Sequence, residues 1–184
     1  VVVTAIELLS GIPSVVFGLL GMQVLVPAVA KTFGKASGAC LLSAIVVLSI
    51  MILPSIVSVS VTALNAVPPE YEQGSLALGA THERSVFCAV LPAAKSGVMS
   101  AVILGVGRAI GETMAVVMVA GNQTWMPRGL FQGLRTMTSN IVIEMGYAAD
   151  LHREALIATG VVLFVFILLI NLCFSLVKGG EKNG

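Results

Sequence analysis

The stretch Ala36-Ser-Gly-Ala-Cys-Leu-Leu-Ser-Ala-Ile-Val-Val-Leu-Ser-Ile-Met-Ile-Leu-Pro-Ser-Ile-Val-Ser-Val-Ser-Val-Thr-Ala-Leu-Asn-Ala-Val-Pro-Pro69 contains no charged side chain. A helix that crosses a bilayer needs about 20 mostly apolar residues, because lipid offers no partner to an unpaired backbone group. This run is long enough to span with tilt, a kink at Pro54, or a non-helical end. Three further stretches have the same character. Residues 8–30 are uncharged and contain Pro13 and Pro27, residues 155–177 are uncharged, and residues 96–120 carry Arg108 and Glu112.

Composition points the same way. Hydrophobic residues make up 57% of the chain and charged residues 10%, with mean hydropathy +1.02. A soluble domain carries about 25% charge, so lipid is the main solvent of this chain. The fold class expected is all-α: a polytopic transmembrane helix bundle forming one domain over residues 1–184. The net charge of +1 lacks the basic surface that nucleic-acid binding requires. Cys40, Cys88 and Cys173 are far apart in apolar settings, and His82 and His152 are isolated. Neither set has the spacing of a disulfide framework or a metal site. The chain opens on Val1 without an initiator methionine or a signal-peptide pattern, and reads as N-terminally trimmed.

Two polar connections separate the last three spans. Residues 68–95 hold Glu70, Glu72, His82, Glu83 and Arg84. Residues 121–154 hold Arg128, Arg135, Glu144, Asp150, His152, Arg153 and Glu154, and the spacing of Leu130, Leu134, Met137 and Ile141 predicts an amphipathic helix. Trp125 and Tyr147 are candidate interfacial anchors. The tail, residues 178–184, is short and glycine-rich, and is expected to fray. Lysine and arginine counts on the two sides do not decide the orientation.

The segment Gly105-Val-Gly-Arg-Ala-Ile-Gly-Glu-Thr-Met-Ala is the most informative for chemistry. A charge at the bilayer centre costs about 2.5–3.5 kcal/mol on insertion scales, so intramembrane ionisable residues are functional by default. The i,i+4 spacing places Arg108 and Glu112 on one face of a continuous helix, in the less favourable order against the helix dipole. Arginine offers a planar, permanently charged fork suited to an oxyanion. A translocation path is therefore one reading of the pair, and a structural ion pair setting helix register is the other. Arg135 could guide an anion towards that path, or simply be solvated. Gly97, Ala101, Gly105 and Ala109 recur at intervals of four, as do Gly107, Gly111 and Ala115, which suits close helix packing.

The 68–95 connection resembles the "EAA" loop of ABC importer permeases, through Gly79, the region of Phe87, and the Leu91-Pro92 ending. The family's opening Glu-Ala-Ala corresponds here to Gln73-Gly74-Ser75, with Glu72 one residue early. Beyond the loop, Leu91-Pro-Ala-Ala-Lys-Ser-Gly, Gly105-Val-Gly-Arg-Ala-Ile-Gly-Glu-Thr-Met-Ala-Val and Ala120-Gly-Asn are similar to phosphate ABC transporter permease subunits of the PstC type. So are Leu134-Arg-Thr-Met-Thr-Ser-Asn-Ile, Ile143-Glu-Met-Gly-Tyr-Ala and Glu7-Leu-Leu-Ser-Gly-Ile-Pro-Ser-Val-Val-Phe-Gly. Sister subunits of the PstA type carry an Arg-Ala-x-Gly-Glu-Thr-Ala-Pro segment, which Met114-Ala115 here does not match.

This resemblance implies the MetI-like permease fold, with about four of the usual six spanning helices present. It implies a multi-pass subunit of the bacterial cytoplasmic membrane that translocates inorganic phosphate. The implied partners are a PstA-type second permease subunit, an ATP-binding subunit dimer and an extracytoplasmic phosphate-binding protein. The 68–95 loop would be the cytoplasmic coupling loop, with Glu72, Gln73, Gly74, Leu76, Ala77, Gly79, Ala80, Leu91 and Pro92 as the ATPase-coupling positions. The 121–154 connection would be extracytoplasmic. The candidate substrate pathway is Arg108, Glu112 and Arg135, and Gly105, Gly107 and Gly111 are the candidate packing glycines.

No Gly-x-x-x-x-Gly-Lys-Ser/Thr loop occurs, so no ATPase activity, no catalytic residue and no cofactor is expected of this chain. The competing functions are a permease for another oxyanion such as sulfate or molybdate, a non-transporting membrane scaffold, and an ion-coupled secondary transporter. The last would show internal repeats, and none is evident.

Overall fold

The spans are ordered by their prolines and their small residues. The computed structural model describes residue 6 and residues 8–180. Among these the secondary structure is helical, apart from an isolated bridge between Gly121 and Leu134. Helices long and apolar enough to cross a membrane are α1 (Ser14–Phe33), α2 (Leu41–Asn65), α4 (His82–Gly111) and α7, which crosses within Asp150–Gly180. Shorter elements are α3 (Pro69–Ala77), α5 (Met114–Val119) and α6 (Met137–Glu144).

Two of the spans contain a π-turn, over Gly21–Leu25 in α1 and over Val86–Val90 in α4. Each lies just before a proline, Pro27 and Pro92 respectively. Proline has no N–H to donate, and its ring crowds the carbonyl four residues back. Widening the preceding turn relieves both problems without ending the helix. Val26 and Leu91 accordingly bond back to the carbonyls of Gly21 and Val86. Pro92 therefore lies inside α4, which has already run from His82.

α2 and α4 pack antiparallel through small residues. A methyl group added at Gly97 would lie 2.5 Å from Ala63 Cβ, and one at Gly105 would lie 2.5 Å from Ile56 Cγ1. Ala101, between them on the same row, is fully buried. α5 wedges between α1 and α2. Ala115, Val116 and Val119 of α5 share a core with Ala44, Val47 and Met51 of α2. Gly18 and Gly21 let α1 approach: a methyl on Gly18 would come within 2.8 Å of Ala115 Cα, and one on Gly21 within 2.7 Å of Val47. α7 is anchored at Leu156 but leaves much of its apolar surface exposed, including Phe164 and Leu176. Lipid or a neighbouring subunit has to cover such a surface.

The helix order puts residues 66–81 and the end of α7 at one end of the bundle. Residues 34–40 and 120–149 lie at the other, where the Phe33 and Phe131 rings meet at 4.7 Å. In the 121–154 connection Met137–Glu144 is helical and Asp150–Glu154 already belong to α7, so the amphipathic helix predicted from Leu130 onward is shorter than its periodicity implies. The reason is hydrogen bonding. The carbonyls of Leu130 and Gln132 accept the free N–H groups of Leu42 and Leu41 at the start of α2, and Leu134 N–H donates to Ala120. The tail expected to fray from Lys178 is helical to Gly180, and residues 181–184 lie outside the described residues, as does Glu7.

Candidate functional site

Arg108 sits three residues before the end of α4. Its Nη1 donates to Ser55 Oγ of α2 at 3.0 Å. It also lines an open groove of about 530 Å³ between α4 and α7, together with Ser100, Leu104, Gly107, Ile167 and Asn171. A guanidinium has five N–H donors, and Ser55 engages one of its nitrogens, so most of its donor capacity stays available.

Glu112 does not share a helix face with Arg108. α4 ends at Gly111, and Glu112 is extended, with φ −66° and ψ 130°. Its Oε1 accepts the N–H of Ala115 at 3.1 Å, capping α5, and its carbonyl accepts the Thr138 hydroxyl at 3.2 Å. Among the described residues no ion pair joins Arg108 and Glu112. The i,i+4 geometry expected of an unbroken span is thus replaced by a helix break, which lets α5 turn into the core against α1 and α2. Interrupted spans place irregular backbone beside cavities in many transporters.

Arg135 is a separate centre. Its guanidinium donates to Glu144 Oε1 at 2.6 Å, to Asn140 Oδ1 at 3.3 Å and to the Asn122 carbonyl at 3.1 Å. Nearby, at the same end of the bundle, a concavity of about 830 Å³ is lined by Lys35, Gln123, Trp125, Arg128, Phe131 and Gln132. Lys35 Nζ stands 5.4 Å from the Phe131 ring centroid, a cation–π contact. Trp125 and Met126 are largely exposed there, as is Tyr147.

The 68–95 connection folds as two helices around Gly79. α3 closes with a Schellman arrangement, in which Gly79 N–H bonds to Leu76 O at 2.9 Å and Ala80 N–H to Ser75 O at 3.2 Å. Gly79 has φ +86°, a conformation that a side chain disfavours. Thr81 Oγ1 accepts the Arg84 N–H at the start of α4. Glu72 faces inward across this corner. Its carboxylate meets His82 Nδ1 at 2.9 Å, and its carbonyl accepts the buried Ser85 hydroxyl at 3.2 Å. Gln73, Gly74, Leu76 and Ala77 are exposed on α3 and Ala80 is partly buried, while Leu91 and Pro92 are exposed on α4. Leu78 is 91% exposed and Phe87 69%, an apolar surface outside the close-packed core.

Of the three candidate packing glycines, only Gly105 meets a neighbour. Gly107 and Gly111 have open space beside them. The Gly107 row faces the groove, and the row cannot continue past Gly111 because the helix stops there. Sequence reasoning missed Asn171, Ser55, Gly18 and Gly21. The amide of Asn171, alone in an otherwise apolar run, was the available signal for the first. Gly18 and Gly21 carried none strong enough, since the residues they meet, Ala115 and Val47, lie on other helices.

The chain matches the family of binding-protein-dependent transport system inner membrane components over residues 1–179. It is 43% identical over 172 residues to a Bacillus subtilis protein named "Probable ABC transporter permease protein YqgH", an alignment covering 90% of this chain and 56% of that protein. It is 35% identical over 180 residues to the phosphate transport system permease protein PstC of Haemophilus influenzae, covering 88% of this chain and 57% of that one. It is 35% identical over 202 residues to the phosphate transport system permease protein PstC 2 of Mycobacterium tuberculosis, covering 97% and 61%. The chain thus spans somewhat over half the length of these relatives. No solved structure matches it. With its spanning helices and a family match along nearly its whole length, this chain is a multi-pass membrane protein and belongs to the binding-protein-dependent transport system inner membrane components.

Proposed function

We propose that this chain is a path-forming permease subunit of an ATP-driven importer of inorganic phosphate in the bacterial cytoplasmic membrane. The observation that carries the reading is Arg108, a permanent cation in a spanning helix that is open to a groove. An exposed guanidinium in a span is costly unless water, an anion or a protein partner meets it. Phosphate is favoured over other oxyanions by the relatives named as phosphate permeases.

In this reading Arg108 contacts the anion, and Glu112 marks the helix break where the span flexes. Arg135 is the outer member of the path, and an anion reaches it only in exchange for the Glu144 carboxylate. The 121–154 connection faces outward, and its Arg128 joins Lys35 of the 34–40 connection in a basic vestibule for the phosphate-binding protein to meet. The 68–95 corner faces the cytoplasm. Its exposed Leu76, Leu78 and Phe87 dock on an ATPase dimer, and Glu72 braces the corner through His82. A PstA-type second permease subunit covers part of α7. The chain carries no ATP-binding loop of its own, so the partner ATPase hydrolyses the nucleotide.

The test is ATP-dependent phosphate uptake by the permease reconstituted in vesicles with its partner subunits, with sulfate and molybdate as competitors. Uptake that phosphate does not saturate would sink the substrate. A crosslinking scan of residues 76–81 against the ATPase tests the docking corner, and absence of contact in an assembled complex would remove it.

A further inference from the structure

We infer that Asn171 is the neutral hydrogen-bonding member of the oxyanion site whose charged member is Arg108, an assignment that rests on the function proposed above. Asn171 lies on α7, inside a run of uncharged residues within a span of mean hydropathy 2.8. An amide transferred to hydrocarbon without a partner costs roughly 2–7 kcal/mol, depending on the reference state. Among the described residues no hydrogen bond satisfies the Asn171 side chain. Packing inside this chain therefore does not explain why an amide stands there.

Its position does. Asn171 and Ile167, one turn apart on α7, line the same groove as Ser100, Gly107 and Arg108 on α4. The open space beside Gly107 keeps a side chain from filling the groove between the two polar groups. Ser55 of α2 steadies the guanidinium by one hydrogen bond.

The two side chains have complementary chemistry. A guanidinium can only donate, and it neutralises charge. An amide donates through Nδ2 and accepts through Oδ1. A protonated tetrahedral oxyanion, such as hydrogen phosphate, presents both acceptor oxygens and one O–H donor. Arg108 meets the charged oxygens, and Asn171 can accept the O–H while donating to a further oxygen. Sulfate at neutral pH has no O–H to offer, so Asn171 favours the protonated anion.

The test uses the assembled transporter in proteoliposomes. Asn171→Cys is placed in a background with Cys40, Cys88 and Cys173 replaced by alanine, and is exposed to a membrane-impermeant charged thiol reagent. We expect modification, slowed several-fold by phosphate and not by equal sulfate. In parallel, Asn171→Leu lowers phosphate uptake by roughly tenfold at normal assembled amounts, the scale of one lost polar contact to a charged group, while Asn171→Gln retains most of it. An unreactive cysteine, a reactive one that phosphate does not protect, or wild-type uptake by Asn171→Leu would each overturn the assignment. Failure of the wild-type complex to import phosphate would instead overturn the proposed function, and this assignment with it.

Discussion

Arg108 of α4 donates across the helix boundary to the hydroxyl of Ser55 on α2, at 3.0 Å. The contact lies on the same antiparallel seam as Gly105 against Ile56, so the approach of the two helices sets the position of the guanidinium. A cation in a span is usually steadied by an acid. Here a neutral hydroxyl does it, and among the described residues no carboxylate pairs with the guanidinium, the charge that the proposed function gives to an anion.

Arg108→Lys keeps the charge but loses the planar fork, and we expect phosphate uptake to fall roughly tenfold or more. Ser55→Ala keeps the fork and frees its position, and should cost less, roughly two- to fivefold for one neutral hydrogen bond. Uptake assays normalised to assembled complex check both. Equal, wild-type rates in the two variants would exclude Arg108 from the path.

Glu112 separates a capping role from a charge role. Glu112→Gln retains an oxygen that can accept the Ala115 N–H, so thermal stability in detergent should change little. Glu112→Ala removes the acceptor and should cost about 1 kcal/mol, the usual loss at a helix cap. If Glu112→Gln nevertheless lowers uptake while the melting temperature holds, the charge acts in transport as well.

The glycines of α4 should divide by side. Gly105→Val overpacks the seam against Ile52 and Ile56 and should destabilise by about 1–3 kcal/mol. Gly107→Ala and Gly111→Ala meet no atom within 4 Å and should assemble normally. Melting curves and size-exclusion profiles of the purified complex would report the difference, and equal sensitivity at all three positions would contradict the packing described.

Gly79→Ala forces a side chain into the left-handed turn between α3 and α4, at about 1 kcal/mol. The spans are untouched, so membrane insertion should be normal. ATPase stimulation by the loaded binding protein should weaken, because α3 no longer sits at its angle. Full stimulation in Gly79→Ala would remove the corner from the coupling route.

Much of the fold could be read along the chain, because bilayer thickness sets a length and an apolarity that each span must meet locally. The spans around residues 8–30, 36–69 and 155–177 each correspond to a helix, with ends moved by several residues, whereas 96–120 holds the second half of a helix that begins at His82, a break after Gly111 and the separate α5. The family was legible from motif spacing for the same reason: the match is a property of residue order. The turn at Gly79 is local as well, since a glycine stands where the backbone takes φ +86°.

The tertiary structure decided what depends on distant partners. Gly111-Glu112-Thr113 is compatible with a continuing helix, and the chain breaks there because α5 buries Ala115, Val116 and Val119 against α1 and α2. Leu130 and Leu134 have helical spacing, yet that segment's backbone is used on the start of α2 and on Ala120. Arg108 and Glu112 are four residues apart, but the break gives them different partners. Asn171 is 63 residues from Arg108 by the numbering, and only the packing of α7 on α4 puts both on one groove. Hydrophobicity and turn chemistry act over a few residues and were available from the sequence. Which polar groups share a cavity depends on how whole helices meet, and that is set only once they pack.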